Sequence, residues 1–337
     1  LLFKPTTRTE GACATSSLAI YNAAYAVASG RFKNVLAIGV EKMNTLNTAG
    51  VTHALSCCSY WPEEGNKGMT FPGLFAELGK AYQQKEELSP EQLRIMLAHV
   101  SALNYRNGIQ NPLAHFGPGS IPDINKLTTA EAILNLPESG KGSNPMIAPP
   151  LRLHDCSLIT DGAAAVVLTS SDNAKASFSH AVELSGIGHV TDRMMLKERI
   201  GRLHELRGAR HAVDLALKEA GATVDDLDLA EVHDCFTINQ LLCVEAIGLS
   251  ESGRAGYDFM SGKYDPDSDC PINLSGGLKS KGHPVGATGA SMHALVYKQL
   301  VGEPIGVAAK GNPEVAMTVN IGGSGVTNCV SVMRRLK

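Results

Sequence analysis

The chain is predicted to be an α/β protein made of two similar halves. Helical stretches alternate with short, continuous apolar runs such as residues 35–40 and 163–168, the pattern of strands buried on both faces. One unit also occurs twice: a turn of small residues holding a reactive side chain, then a helix of small residues, then an apolar strand. It begins at Cys13 in the first half and at His283 in the second. Strand and helix patterns precede the second copy from Ala181 onward, whereas Cys13 follows directly on residues 1–12. The repeat therefore predicts further N-terminal elements ahead of residue 1.

The first unit is Glu10-Gly11-Ala12-Cys13-Ala14-Thr15-Ser16-Ser17. From Ala14 to Ser29 small, helix-tolerant residues run without Pro or Gly, which suits a helix packed on several sides. Gly30 stops it, and Arg31 and Lys33 follow where cations suit the negative helix end. Cys13 then stands at a helix N-terminus, where unpaired N–H groups favour a thiolate, so it is a candidate nucleophile. A free cysteine more often simply packs.

Residues 41–155 read as a mixed insert. A polar loop comes first, then helical character over 71–84, then Ser89-Pro90-Glu91-Gln92, a capping box opening a helix to about Tyr105. Residues 111–150 are rich in Pro, Gly, Asn and Ser, loop chemistry of the kind that forms binding surfaces. A buried strand over 163–168 and a polar linker over 170–179 close the half. In the second half strands are expected at 181–190, 229–233, 315–321 and 327–333, and helices at 207–220, 237–247 and 290–300. Residues 273–289 form a glycine-dense turn. The domains are thus 1–45 with a returning strand at 156–170, a loop domain at 46–155, and a C-terminal core at 171–337.

With 337 residues, 44% hydrophobic and 19% charged, the composition is that of an ordinary globular chain. A net charge of −3 and few aromatics, without any basic run, exclude nucleic acid as the expected partner. No apolar stretch approaches the ~18–20 residues of a membrane span. Eight cysteines without disulfide-framework spacing predict a reducing intracellular compartment, with mitochondrion and peroxisome both open. Cys57-Cys58 with His53 lacks a second pair at zinc spacing, and no metal is expected.

Four stretches carry suitable chemistry. Cys13 is the first, and His233-Asp234-Cys235-Phe236 lies at a strand end, where α/β sheets place functional groups. Gly282-His283-Pro284 opens the second small-residue helix, and residues 320–325 form a flexible turn whose N–H groups suit an oxyanion. Gly277 to His283 has the spacing of a phosphate-cradling loop, but histidine replaces its lysine, which argues against nucleotide hydrolysis.

In combination, Glu10-Gly11-Ala12-Cys13, His233-Asp234-Cys235-Phe236, Asn273-Leu274-Ser275-Gly276-Gly277 and the run from Gly282-His283-Pro284 to Gly289 resemble the thiolases, most nearly the sterol-carrier-protein type. Asp155-Cys156-Ser157 and Asp161-Gly162-Ala163 match as well. The resemblance implies a duplicated, layered α-β-α-β-α fold, a loop domain over the active site and a homodimer. It implies reversible cleavage of a 3-ketoacyl-CoA by coenzyme A, within lipid metabolism such as fatty-acid β-oxidation. Acyl-CoA and CoA would be substrates, with no permanently bound cofactor. By position, Cys13 would take the acyl group and His283 its proton. His233 would belong to one oxyanion hole, Gly322 with the Cys13 N–H to a second, and Ser157 would touch the pantetheine arm. Most thiolases carry an acid/base cysteine where this chain has Asn320; the sterol-carrier-protein type implies Cys235 in its place. Two other readings share these residues: a Claisen-condensing or other acyltransferase, and a silent acyl-CoA-binding or scaffold member. The retained Cys13, Cys235, His233 and His283 favour an active enzyme.

Overall fold

The computed structural model describes residues 2–120 and 124–336. Helix α1 (Thr15–Ala28) leads into strand β1 (Asn34–Glu41). Four helices follow: α2 (Thr48–Ser56), α3 (Phe71–Lys85), α4 (Pro90–Gly108) and α5 (Ala130–Leu134). A small hairpin, β2 (Met146–Ala148) and β3 (Leu151–Arg152), precedes β4 (Gly162–Thr169), which pairs antiparallel with β1. The chain continues through α6 (Ser171–Ser177), β5 (Val182–Thr191), α7 (Arg207–Ala220), β6 (Leu229–Val232), α8 (Thr237–Ile247) and α9 (Ala255–Met260). It ends with α10 (Gly277–Ser280), α11 (Thr288–Leu300), β7 (Val315–Gly322) and β8 (Thr327–Arg335).

The internal repeat is visible in three dimensions. Each half has a 3₁₀ turn, a helix, and a strand with an antiparallel partner: Ala12–Ala14, α1, β1 with β4, and Val285–Ala287, α11, β7 with β8. The second sheet has the order β5-β8-β7-β6, in which only β6 and β7 run parallel. Helices α1 and α11 lie against each other between the sheets, with Ala290 N donating to Ser16 Oγ at 2.9 Å. They are tied to the second sheet through Ser331 Oγ, 3.0 Å from Tyr21 Oη and 2.8 Å from His293 Nε2.

The expected burial of β1 and β4 on both faces is corrected. Leu36, Ile38 and Val40 are exposed, and Val40 and Val167 are 64% and 65% accessible. Ala37, Val35, Ala164 and Val166 face the helices instead. Among the described residues this sheet has two strands and a helix layer on one side, so its apolar runs are covered on one face only.

Four other expectations change. The polar loop after residue 41 contains α2, capped by Asn47 Oδ1, and the polar linker is α6, capped by Ser170 Oγ. Residues 111–150 include α5, capped by Thr129. Residues 320–322 end β7, and the turn is confined to residues 323–326. Residues 46–155 are thus largely helical and share the main core: Phe75 and Phe236 ring centroids are 4.7 Å apart, and Tyr82 Oη donates to Glu245 Oε1 at 2.7 Å. No helix among the described residues is long and apolar enough to cross a membrane.

Candidate active site

Cys13 is presented by a strained turn. Ala12, just before it, has φ +51, which a residue with a Cβ adopts only when its surroundings hold it there. Glu10 Oε1 accepts the Ala12 N–H at 2.7 Å, and Ala14 N donates to Gly11 O at 3.0 Å. The sulfur is buried, and burial pushes the thiol well above its ordinary range, with Cys58 adding to the rise. The backbone N–H groups of Gly323 and of Cys13 itself lower it and offset part of that. The expectation of a dipole-stabilised thiolate is therefore corrected. Desolvation of the buried sulfur outweighs the helix end, worth about 0.3–1 kcal/mol at an exposed site. Cys13 rests as a thiol and needs a base.

Two imidazoles converge on it. The His233 and His283 ring centroids are 5.0 Å apart at 82°, and one nitrogen of each lies within 4.8 Å of the other and of Cys13 Sγ. His233 follows directly on β6. Its carbonyl accepts from Asn239 Nδ2 at 2.6 Å, its Nδ1 lies 3.1 Å from Asn320 Nδ2, and its Nε2 is buried with no protein partner among the described residues. His283 has Nδ1 2.7 Å from Thr288 Oγ1. Burial, then the Lys281 ammonium, lowers its pKa to about 3; burial, then His283 and Lys281, lowers that of His233 well below its usual value. Both rings are neutral near pH 7.

The backbone fixes this meeting. Residues 156–160 run between the two histidine loops: Ser157 N donates to Cys235 O at 2.9 Å, Cys156 bridges to Phe236, and Ile159 bridges to His283. Thr160 Oγ1 accepts the His283 N–H at 3.2 Å. Asp234 latches the glycine-dense turn, accepting from Leu278 N at 2.6 Å, Lys279 N at 3.0 Å and Asn104 Nδ2 at 2.8 Å. Burial pushes its carboxyl up to about 7 against those donors.

Cys235, two residues after His233, is buried as well. Burial, then Cys13, raises its thiol well above the ordinary range. Ser157 adjoins it through the backbone hydrogen bond just given. Gly322 ends β7 so close to the first unit that a Cβ there would overlap the Gly11 carbonyl oxygen. Sequence reasoning passed over Thr288, Ser17, Lys281 and the positive side of Asn320. Thr288 could have been found as the hydroxyl five residues past the histidine on the same small-residue turn.

Residues 188–335 match a family model described as thiolase C-terminal domain-like. Over 331 residues the chain is 39% identical to an acetyl-CoA acetyltransferase of Methanothermobacter thermautotrophicus, covering 98% of this chain and 80% of that protein. It is 29% identical to sterol carrier protein 2 of Oryctolagus cuniculus, over 92% of this chain and 55% of that one. A monomeric SCP2-thiolase-like protein type 1 from Mycobacterium smegmatis shares the fold, with a TM-score of 0.70 at 18% identity over 98% of this chain and 61% of that one. The chain therefore belongs to the thiolase family and is an acyltransferase of its α/β fold.

Proposed function

We propose that this protein cleaves a 3-ketoacyl-CoA with coenzyme A, reversibly, through an acyl-enzyme on Cys13. The supporting observation is the convergence of the Cys13 sulfur and two neutral imidazoles within 4.8 Å, next to a second buried thiol. In the tautomer whose Nδ1–H donates to Thr288 Oγ1, with the hydroxyl proton going to Pro284 O at 3.1 Å, His283 has a bare Nε2. That nitrogen takes the Cys13 proton as the sulfur attacks the ketone carbon. His233 donates to an oxyanion; the Cys13 N–H with that of Gly322 forms the second donor pair. The C2–C3 bond breaks, the acyl group stays on Cys13, and the enolate of the departing acyl-CoA takes the Cys235 proton. The incoming CoA thiol returns a proton to Cys235 and attacks the thioester. Cys13 leaves as thiolate and recovers its proton from His283. Ser157 lines the approach of the pantetheine arm, and residues 46–155 cover the site.

Fatty-acid β-oxidation and a homodimeric assembly are the expectations of the same reading; light scattering of the full chain tests the second. The decisive experiment incubates the protein with a 3-ketoacyl-CoA, follows loss of its enolate absorbance on adding CoA, and maps the acyl group by mass spectrometry. Acylation confined to Cys13 and lost in C13A is expected. Turnover that survives C13A sinks the mechanism, and tight CoA binding without turnover selects the silent reading.

A further inference from the structure

We infer that Asn320 is a positioning residue: it fixes the tautomer of His233 so that the ring presents an N–H, and not a lone pair, to the substrate oxygen. The catalytic consequence rests on the acyl-transfer reading above, whereas the tautomer itself does not. The Asn320 amide sits among three partners. Ser17 Oγ donates to Oδ1 at 2.8 Å, Nδ2 donates to the Cys13 carbonyl at 3.1 Å, and Nδ2 also lies 3.1 Å from His233 Nδ1.

A carbonyl oxygen only accepts, so the amide nitrogen has to face Cys13, and the orientation of the amide follows. Its second hydrogen then points at His233 Nδ1, which must accept and carries no proton. A neutral imidazole has one N–H, so the proton is on Nε2. That nitrogen is buried without a partner among the described residues, a donor held for something not part of the protein. The ring stays singly protonated because burial and the neighbouring His283 and Lys281 oppose a second proton.

The packing around Asn320 serves this contact. Asn320 and Ser17 are both fully buried. A Cβ on Gly289 would lie 2.7 Å from Asn320 Oδ1 and 2.5 Å from Ser17 N, so a glycine is needed where α11 crosses α1. The same proton bears on metal binding. Cys13, His233 and His283 make a donor set of zinc-like composition, but the free nitrogen of His233 lacks the lone pair that ligation requires. The position that cannot exchange a proton thus decides where one sits.

The test reads the proton directly. In the full chain with 15N-labelled histidine, a two-bond 1H–15N correlation spectrum, with His233 assigned by its loss in H233Q, should show Nε2–H and a bare Nδ1. In N320D the new carboxylate can only accept, so the proton should appear on Nδ1. The thiolysis kcat of N320D should fall about 10²–10³-fold, the cost of one oxyanion donor, with KM moving far less. It should recover as pH is lowered, because the imidazolium regains Nε2–H. A wild-type ring protonated on Nδ1 overturns the inference, and so does a kcat loss in N320D that leaves the tautomer unchanged. The wild-type spectrum decides the tautomer even if N320D does not fold. Nε2–H in a protein that performs no thiolysis would sink the acyl-transfer reading alone.

Discussion

Replacing Thr288 by valine isolates a single hydrogen bond at the base. Thr288 is fully buried at the start of α11, and its hydroxyl lies 2.7 Å from His283 Nδ1. Valine keeps the branched shape and removes the oxygen. The Pro284 carbonyl, which also loses a donor, keeps the Ala287 N–H at 2.8 Å, so no acceptor is orphaned and the loss falls on His283. An unpaired buried N–H costs about 1–3 kcal/mol. The ring escapes that cost by moving its proton to Nε2, the nitrogen that has to receive the Cys13 proton. At 1.4 kcal/mol per decade, the fraction of rings able to act as base falls about 5- to 150-fold. Rapid mixing with an acyl-CoA, quenched and read by mass spectrometry, gives the single-turnover rate of Cys13 acylation. T288V should be slower by that factor, with T288S restored to within a few-fold. T288V acylating at the wild-type rate, or T288S as slow as T288V, would refute the reasoning.

Three further outcomes are expected. C235S should still acylate Cys13 from a simple acyl-CoA but lose carbon–carbon cleavage by about 10²–10⁴, the usual contribution of a general acid; equal loss of both steps removes the proposed role. Both imidazoles have lowered pKa values, His283 to about 3, and a lowered pKa keeps the ring neutral as pH falls through 6.5. The kcat/KM profile should therefore carry no imidazole limb between about pH 8 and about pH 5, and an acid limb at about 6.5 that persists in D234N, where the carboxyl raised to about 7 is gone, contradicts the assignment. D234N sets an amide NH₂ against one of the backbone donors at 2.6 and 3.0 Å, and urea unfolding should show a loss of about 1–3 kcal/mol.

What could be read from the residues was what local chemistry decides. The box at Ser89 and Gln92 opens α4 in the structure as the sequence indicates, because both hydrogen bonds lie within one turn. Helices α2, α5 and α6 went unread because they are short and polar, and isolated helices of that length do not form without tertiary contacts. The exposed face of β1 escaped for a related reason: an apolar run does not say how many neighbours it has. At the site, Cys13, His233 and His283 stand out as reactive side chains among small residues. That Asn320 would join two of them is a fact about β7 running beside the Ala12–Ala14 turn, which no spacing records. The charge of Cys13 was misjudged because a helix end is visible in a sequence and desolvation is not.

The electrostatics explain why the neighbours matter more than the four reactive groups. Burial raises both thiols and lowers both imidazoles, so the resting site stores no thiolate–imidazolium pair. On the proposed mechanism charge appears together with the substrate, whose carbonyl oxygen becomes negative as the sulfur attacks. The nearest fixed cation should then favour an anion at that point, against the Glu41 and Asp234 carboxyls, which oppose charge on the two thiols. Lys281 is buried two residues from His283, its Nζ donating to Ser291 Oγ at 3.1 Å, and its positive charge disfavours imidazolium while favouring an oxyanion or enolate. In the tautomers proposed above, Thr288 and Asn320 act on identical rings in opposite senses, one accepting from Nδ1 and the other donating to it. On the mechanism proposed above, two chemically equal histidines thereby become one base and one donor, a division set by a hydroxyl and an amide that never exchange a proton with the substrate.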